Sequence, residues 1–119
     1  MKFIPATLHG FLDYAVAATL VAGPVLLGFQ GPALMLAAAG GIGLFLYSLI
    51  TDYSTSVQKI LPFWLHLVID FVAALVLIAA PYLFGFTGIE KLFYLVIGIS
   101  VAAVVIVTNT DTRQAEAPA

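Results

Sequence analysis

The sequence predicts an all-α membrane protein: a four-transmembrane-helix bundle built from two tandem helical hairpins. Three observations carry this. Of 119 residues, 63% are hydrophobic and only 8% charged, with a mean hydropathy of +1.16, where a soluble domain carries about 25% charge. Four apolar segments of about 20 residues follow one another, each long enough to cross a hydrocarbon layer of about 30 Å. The first half of the chain, shifted by 57 positions, matches the second.

Composition also excludes. A chain this small has too little interior to absorb so much apolar surface, so a lipid environment is required. The formal net charge of −2 comes with no basic stripe, which argues against nucleic acid as a partner. Cysteine is absent, which removes disulfides, thiolate chemistry and Cys-ligated metals. The N-terminal segment does not read as a signal peptide, because His9 and Asp13 interrupt its apolar stretch.

The spans are expected near Leu8–Phe29, Ala33–Thr51, Phe63–Phe86 and Lys91–Thr108. Pro5 and Pro62 stand where a helix start tolerates proline. Gly28, Gly31 and Pro32 mark the first hairpin turn, and Gly85 and Gly88 the second. The stretch from Asp52 to Lys59 is the most polar interior segment. One transmembrane domain is expected over 1–108, with a first repeat over 1–57 and a second over 58–108. The polar tail over 109–119 is expected to be disordered.

The match at 57 residues is specific. It pairs Lys2 with Lys59, Pro5 with Pro62, His9 with His66, Asp13 with Asp70, Ala17 with Ala74, Leu20 with Leu77 and Pro24 with Pro81. It continues through Gly28-Phe29 with Gly85-Phe86, Gly41 with Gly98 and Thr51 with Thr108. Chance likeness of greasy segments would not align a His, an Asp and two prolines. Two spans per copy make a parallel repeat about an axis along the membrane normal.

Within each copy the shared positions step by three or four, which is one helix face. That face should look into the bundle, and off-stripe positions such as Val16 should face lipid. Gly41 and Gly98 are expected at helix contacts, where small residues allow close approach. Lys2, Lys59 and Arg113 fall on one side and Lys91 alone on the other, so the positive-inside rule places both termini in the cytoplasm. Tyr14, Tyr53, Trp64, Tyr82 and Phe86, near span ends, read as an interfacial aromatic belt. Pro24 and Pro81 read as kinks near helix ends.

Gly23–Phe29 and Ala80–Phe86 read Gly-Pro-Val-Leu-Leu-Gly-Phe and Ala-Pro-Tyr-Leu-Phe-Gly-Phe. These segments resemble the SPW-repeat family of small bacterial membrane proteins, in which a Ser-Pro-Trp is followed by a Leu-Gly-Phe-like stretch. Here Gly23 or Ala80 replaces the Ser, and Val25 or Tyr82 the Trp. The resemblance implies a four-span bacterial membrane protein and implies no activity; the bacterial inner membrane is the expected location.

His9, Asp13, His66 and Asp70 are the residues that carry chemistry. Each His–Asp pair is spaced i, i+4 on one helix face, roughly 12 Å along the axis for the Asp residues at about 1.5 Å per residue. Ionisable groups at that depth normally face the protein interior. Tyr47 and Ser48 are expected at similar depth. The leading reading is a structural or accessory membrane protein, with no cofactor and with the four as a polar clamp between helices. A second reading is a closed site for zinc or a similar ion. A third is a haem held axially by His9 and His66 with Asp13 and Asp70 behind them. A proton or ion relay is a fourth. No nucleophile–base arrangement or phosphate loop suggests an enzyme. The expected partners are the bilayer and either further copies of the chain or a larger membrane complex.

Overall fold

The computed structural model describes residues 4–53 and 56–108. The tail over 109–119, and Lys2 and Arg113 used for orientation, lie outside the described residues. Four α-helices follow in order: α1 (Ala6–Leu26), α2 (Gly31–Leu49), α3 (Phe63–Phe84) and α4 (Gly88–Val107). All four are long and apolar enough to span a membrane, and this is a multi-pass membrane protein. Helices satisfy their own backbone groups, which lipid cannot do. Side chains such as Phe11, Met35, Val72, Leu92 and Ile106 cover the outside and are well exposed. In water that surface would aggregate, whereas acyl chains solvate it.

The helices pair as two hairpins, α1 on α2 and α3 on α4. Each pair closes on a glycine. A Cβ added at Gly41 would lie 2.8 Å from the Ala17 carbonyl oxygen and 2.8 Å from Val21. One added at Gly98 would lie 2.8 Å from Ile78 and 3.1 Å from the Ala74 carbonyl oxygen. The glycines therefore set the interhelical distance, as expected. The turns are also alike. Gly28 and Gly85 have φ of 76° and 72°, a conformation that glycine adopts without steric cost. The amides of Phe29 and Phe86 donate to the carbonyls of Pro24 and Pro81 at 2.8 and 2.9 Å. Both prolines lie inside the last turns of their helices and are buried.

The two hairpins meet mainly through side chains. On the turn side, Leu20, Phe29, Ala33, Ala37, Leu77, Ala80, Phe86 and Tyr94 form one apolar cluster, and the Tyr94 hydroxyl donates to the Ala33 carbonyl at 2.6 Å. On the other side, Ala6, Tyr53, Phe63 and Leu67 form a second. The polar centre lies between these clusters.

At that end two backbone bridges, related by the 57-residue shift, tie the hairpins together. Ile4 bridges Thr108 and Leu61 bridges Thr51. The Ile4 amide donates to Val107 at 3.0 Å and the Leu61 amide to Ile50 at 2.7 Å. The middle segment folds back on α2. The amides of Val57 and Gln58 reach the Leu49 carbonyl at 2.8 and 2.9 Å, satisfying an oxygen that a helix C-terminus leaves open. Lys59 Nζ donates to the Tyr53 carbonyl at 2.6 Å.

Three expectations need correction. Tyr53 is not interfacial: it is fully buried, because the fold-back carries it under the bundle. Phe86 is also buried, tucked under the second turn against Tyr94. Val16 packs against the apolar cluster rather than facing lipid alone, because it turns toward the gap between the hairpins, beside Leu77 and Val101. Trp64 and Tyr82 are exposed near helix ends, as a belt requires.

Candidate functional site

Each functional helix begins with its proline. Pro5 and Pro62 precede α1 and α3, and their carbonyls accept the first helical bonds from the amides of His9 and His66 at 3.0 and 3.1 Å. The histidines thus sit at the end of the first turn, and Asp13 and Asp70 lie one turn further on the same face. All four are buried. One ligand atom from each lies within 4.8 Å of all the others.

The contacts cross the hairpins. His9 Nε2 lies 2.9 Å from Asp70 Oδ2, and 3.2 Å from Asp13 Oδ1 on its own helix. His66 Nε2 lies 2.8 Å from Asp13 Oδ2, and 3.2 Å from Asp70 Oδ2 on its own helix. The shorter contact of each histidine is the one to the opposite hairpin.

The outer partners decide the chemistry. Thr51 Oγ1 donates to the Tyr47 carbonyl at 2.6 Å and lies 2.7 Å from His66 Nδ1. Thr108 Oγ1 donates to the Val104 carbonyl at 2.5 Å and lies 2.9 Å from His9 Nδ1. Each threonine has one hydroxyl proton, and the backbone takes it. Each threonine must therefore accept from its histidine, which assigns a proton to both Nδ1 atoms. In a neutral imidazole the inner Nε2 is then an acceptor. The carboxylates have outer donors too. The Tyr47 hydroxyl donates to Asp70 Oδ1, and the Tyr53 hydroxyl to Asp13 Oδ2 at 3.2 Å.

With both imidazoles neutral, two lone pairs and two carboxylates would converge without a donor among them. Two positive charges balance the centre: a proton on each Nε2, or one divalent cation between the four. His66 Nε2 is buried and makes no hydrogen bond of proper alignment despite its short contact with Asp13.

Of the residues singled out from the sequence, the structure brings together His9, Asp13, His66, Asp70 and Tyr47. Ser48 is fully buried, but its hydroxyl makes no hydrogen bond to any of them. Gly41 and Gly98 act in packing, away from the centre. The sequence reading missed Thr51, Thr108 and Tyr53 as site residues. The two threonines carried a signal, since they match at the 57-residue shift; Tyr53 carried none. A haem between His9 and His66 has no room, because Asp70 Oδ2 and Asp13 Oδ2 already stand 2.9 and 2.8 Å from the two inner Nε2 atoms. Beyond the centre the inner stripe continues as Ala17, Leu20, Ala74 and Leu77, all buried and apolar, which is no path for a relay.

Fold and site define a class, a small four-span membrane protein with a buried His/Asp centre. Comparison with protein-family models, with curated proteins and with solved structures gave no match.

Proposed function

We propose that the chain is a small accessory protein of the bacterial inner membrane in which the His9–Asp13–His66–Asp70 centre binds one divalent ion of the zinc class and so ties the two hairpins together. The observation that supports this most is the direction of the protons. Threonine hydroxyls hold both Nδ1–H groups, so in the neutral imidazoles both Nε2 lone pairs face two carboxylates. Metal-bound histidines are typically held this way by a partner on the other ring nitrogen. Two neutral imidazoles, two carboxylates and a divalent ion sum to zero charge, which suits a site in lipid. Four protein ligands make a closed site, the structural rather than the catalytic kind. A binding role without catalysis, both termini in the cytoplasm and kinship with SPW-repeat proteins belong to the same proposal.

The test is metal content. Protein purified in detergent without chelator should carry zinc at about one ion per chain, and His66→Ala should carry none. Chelation should lower the Tm and added zinc should restore it. Protein that is metal-free and indifferent to added zinc would overturn the metal reading. It would leave the second one, a clamp with two protons in place of the ion. That reading is supported by His9 Nε2 at 2.9 Å from Asp70 Oδ2, an ordinary hydrogen-bond length.

A further inference from the structure

The 57-residue shift relates Tyr47 to Val104, His66 to His9 and Asp70 to Asp13. On one side of the centre, the Tyr47 ring packs on His66 at 4.6 Å between centroids and its hydroxyl donates to Asp70. On the other side, Val104 takes the place of Tyr47, and Tyr53 reaches Asp13 Oδ2 from the middle segment at 3.2 Å. There a cavity of about 150 Å³ lies against His9, Asp13 and Asp70, walled by Leu12, Val16, Val101 and Val104. Ser100 stands at its mouth and is exposed. Ser100 lies inside α4, well away from either helix end, so the mouth opens on the hydrocarbon layer.

We propose that this cavity is a binding site for a small phenol that enters from the bilayer and donates its hydroxyl to Asp13. Tyr47 supplies the pattern: the chain already places a phenol against the equivalent His and Asp. The walls are apolar and branched, as a ring requires. A dry apolar cavity of roughly 150 Å³ accommodates a benzene-sized ring. The floor offers carboxylate acceptors, which reward a hydroxyl and reject a plain hydrocarbon. The lateral mouth lets an alkyl substituent opposite the hydroxyl trail into lipid. The site requires only that Asp13 accept a hydrogen bond, so it stands with or without an ion at the centre.

The probe is 4-butylphenol, with butylbenzene as its hydroxyl-free control, each titrated against purified full-length protein with and without added zinc. The phenol should raise the Tm and bind about tenfold or more tightly than butylbenzene, the discrimination expected of one hydrogen bond to a charged acceptor. Val104→Tyr should fill the cavity with the chain's own phenol and abolish the shift. Val104→Phe fills the space without a hydroxyl and should also abolish it, which serves if the tyrosine variant does not fold. Equal binding of phenol and butylbenzene would overturn the proposal by showing an unselective void. A phenol shift that survives both variants would overturn the location. No shift with either probe would overturn the site itself. A phenol shift in protein that takes up no zinc would support the site and count only against the metal reading.

Discussion

Thr51 and His66 meet at 2.7 Å across the two hairpins, and the threonine can only accept, because its proton is already given to the Tyr47 carbonyl. Thr108 holds His9 in the same way at 2.9 Å. Thr51→Val should therefore strand a buried N–H and cost about 1–3 kcal/mol, while Thr51→Ser should remain close to the parent. Thr108→Val should cost a similar amount. If the centre binds zinc, each valine variant should also weaken binding about 10- to 100-fold. Chemical denaturation in mixed micelles and a zinc titration measure both effects.

Coupling across the hairpins is the second expectation. His9 and Asp70 are 2.9 Å apart on different hairpins. His9→Ala and Asp70→Ala should each be strongly destabilising, and the double variant should cost less than their sum, by about 0.5–3 kcal/mol. His66→Ala with Asp13→Ala should behave alike, since that contact is 2.8 Å. Additive losses in both cycles would mean that the hairpins do not share one network.

The glycines should rank by what a methyl group would meet. At Gly41 the obstacle includes a backbone oxygen at 2.8 Å, whereas at Gly98 the closest obstacle is the Ile78 side chain. Gly41→Ala should thus cost more than Gly98→Ala, and Gly41→Leu more than either, since overpacking typically costs about 1–3 kcal/mol. Gly40→Ala and Gly43→Ala meet nothing within 4 Å and should be neutral or gain up to about 1 kcal/mol from helix propensity. Thermal unfolding in detergent gives the order.

Topology is tested in cells. Cysteines placed one at a time at Ser56 and Thr87 should differ in labelling by a membrane-impermeant thiol reagent. With both termini in the cytoplasm, position 87 reacts in intact cells and position 56 only after lysis. The reverse pattern would invert the orientation.

Much of this was legible in the sequence, for local reasons. Span length and hydropathy follow from composition over some 20 residues, and the four helices lie close to where the sequence puts them. The earlier start of α4, at Gly88 rather than Lys91, follows because Glu90 and Lys91 form its first turn, with Lys91 Nζ over the Tyr82 ring at 4.9 Å. The inward phase of His9, Asp13, His66 and Asp70 follows from spacing on one helix face together with the cost of a charge in lipid. The contacts at Gly41 and Gly98 follow from the need for close backbone approach.

Tertiary structure alone decided who meets whom. An i, i+4 spacing leaves open whether each histidine meets its own aspartate or the opposite one; both lie closer to the aspartate of the other hairpin, by 2.9 against 3.2 Å and 2.8 against 3.2 Å. Thr51 and Thr108 looked like helix ends; they became histidine partners because the Leu61–Thr51 and Ile4–Thr108 bridges carry each one to the opposite hairpin. Tyr53 looked interfacial until the fold-back of the middle segment buried it beside Asp13. Hydropathy and periodicity describe one segment against its solvent. The distance between two hairpins is set by the side chains that fill the gap, and no single segment contains it.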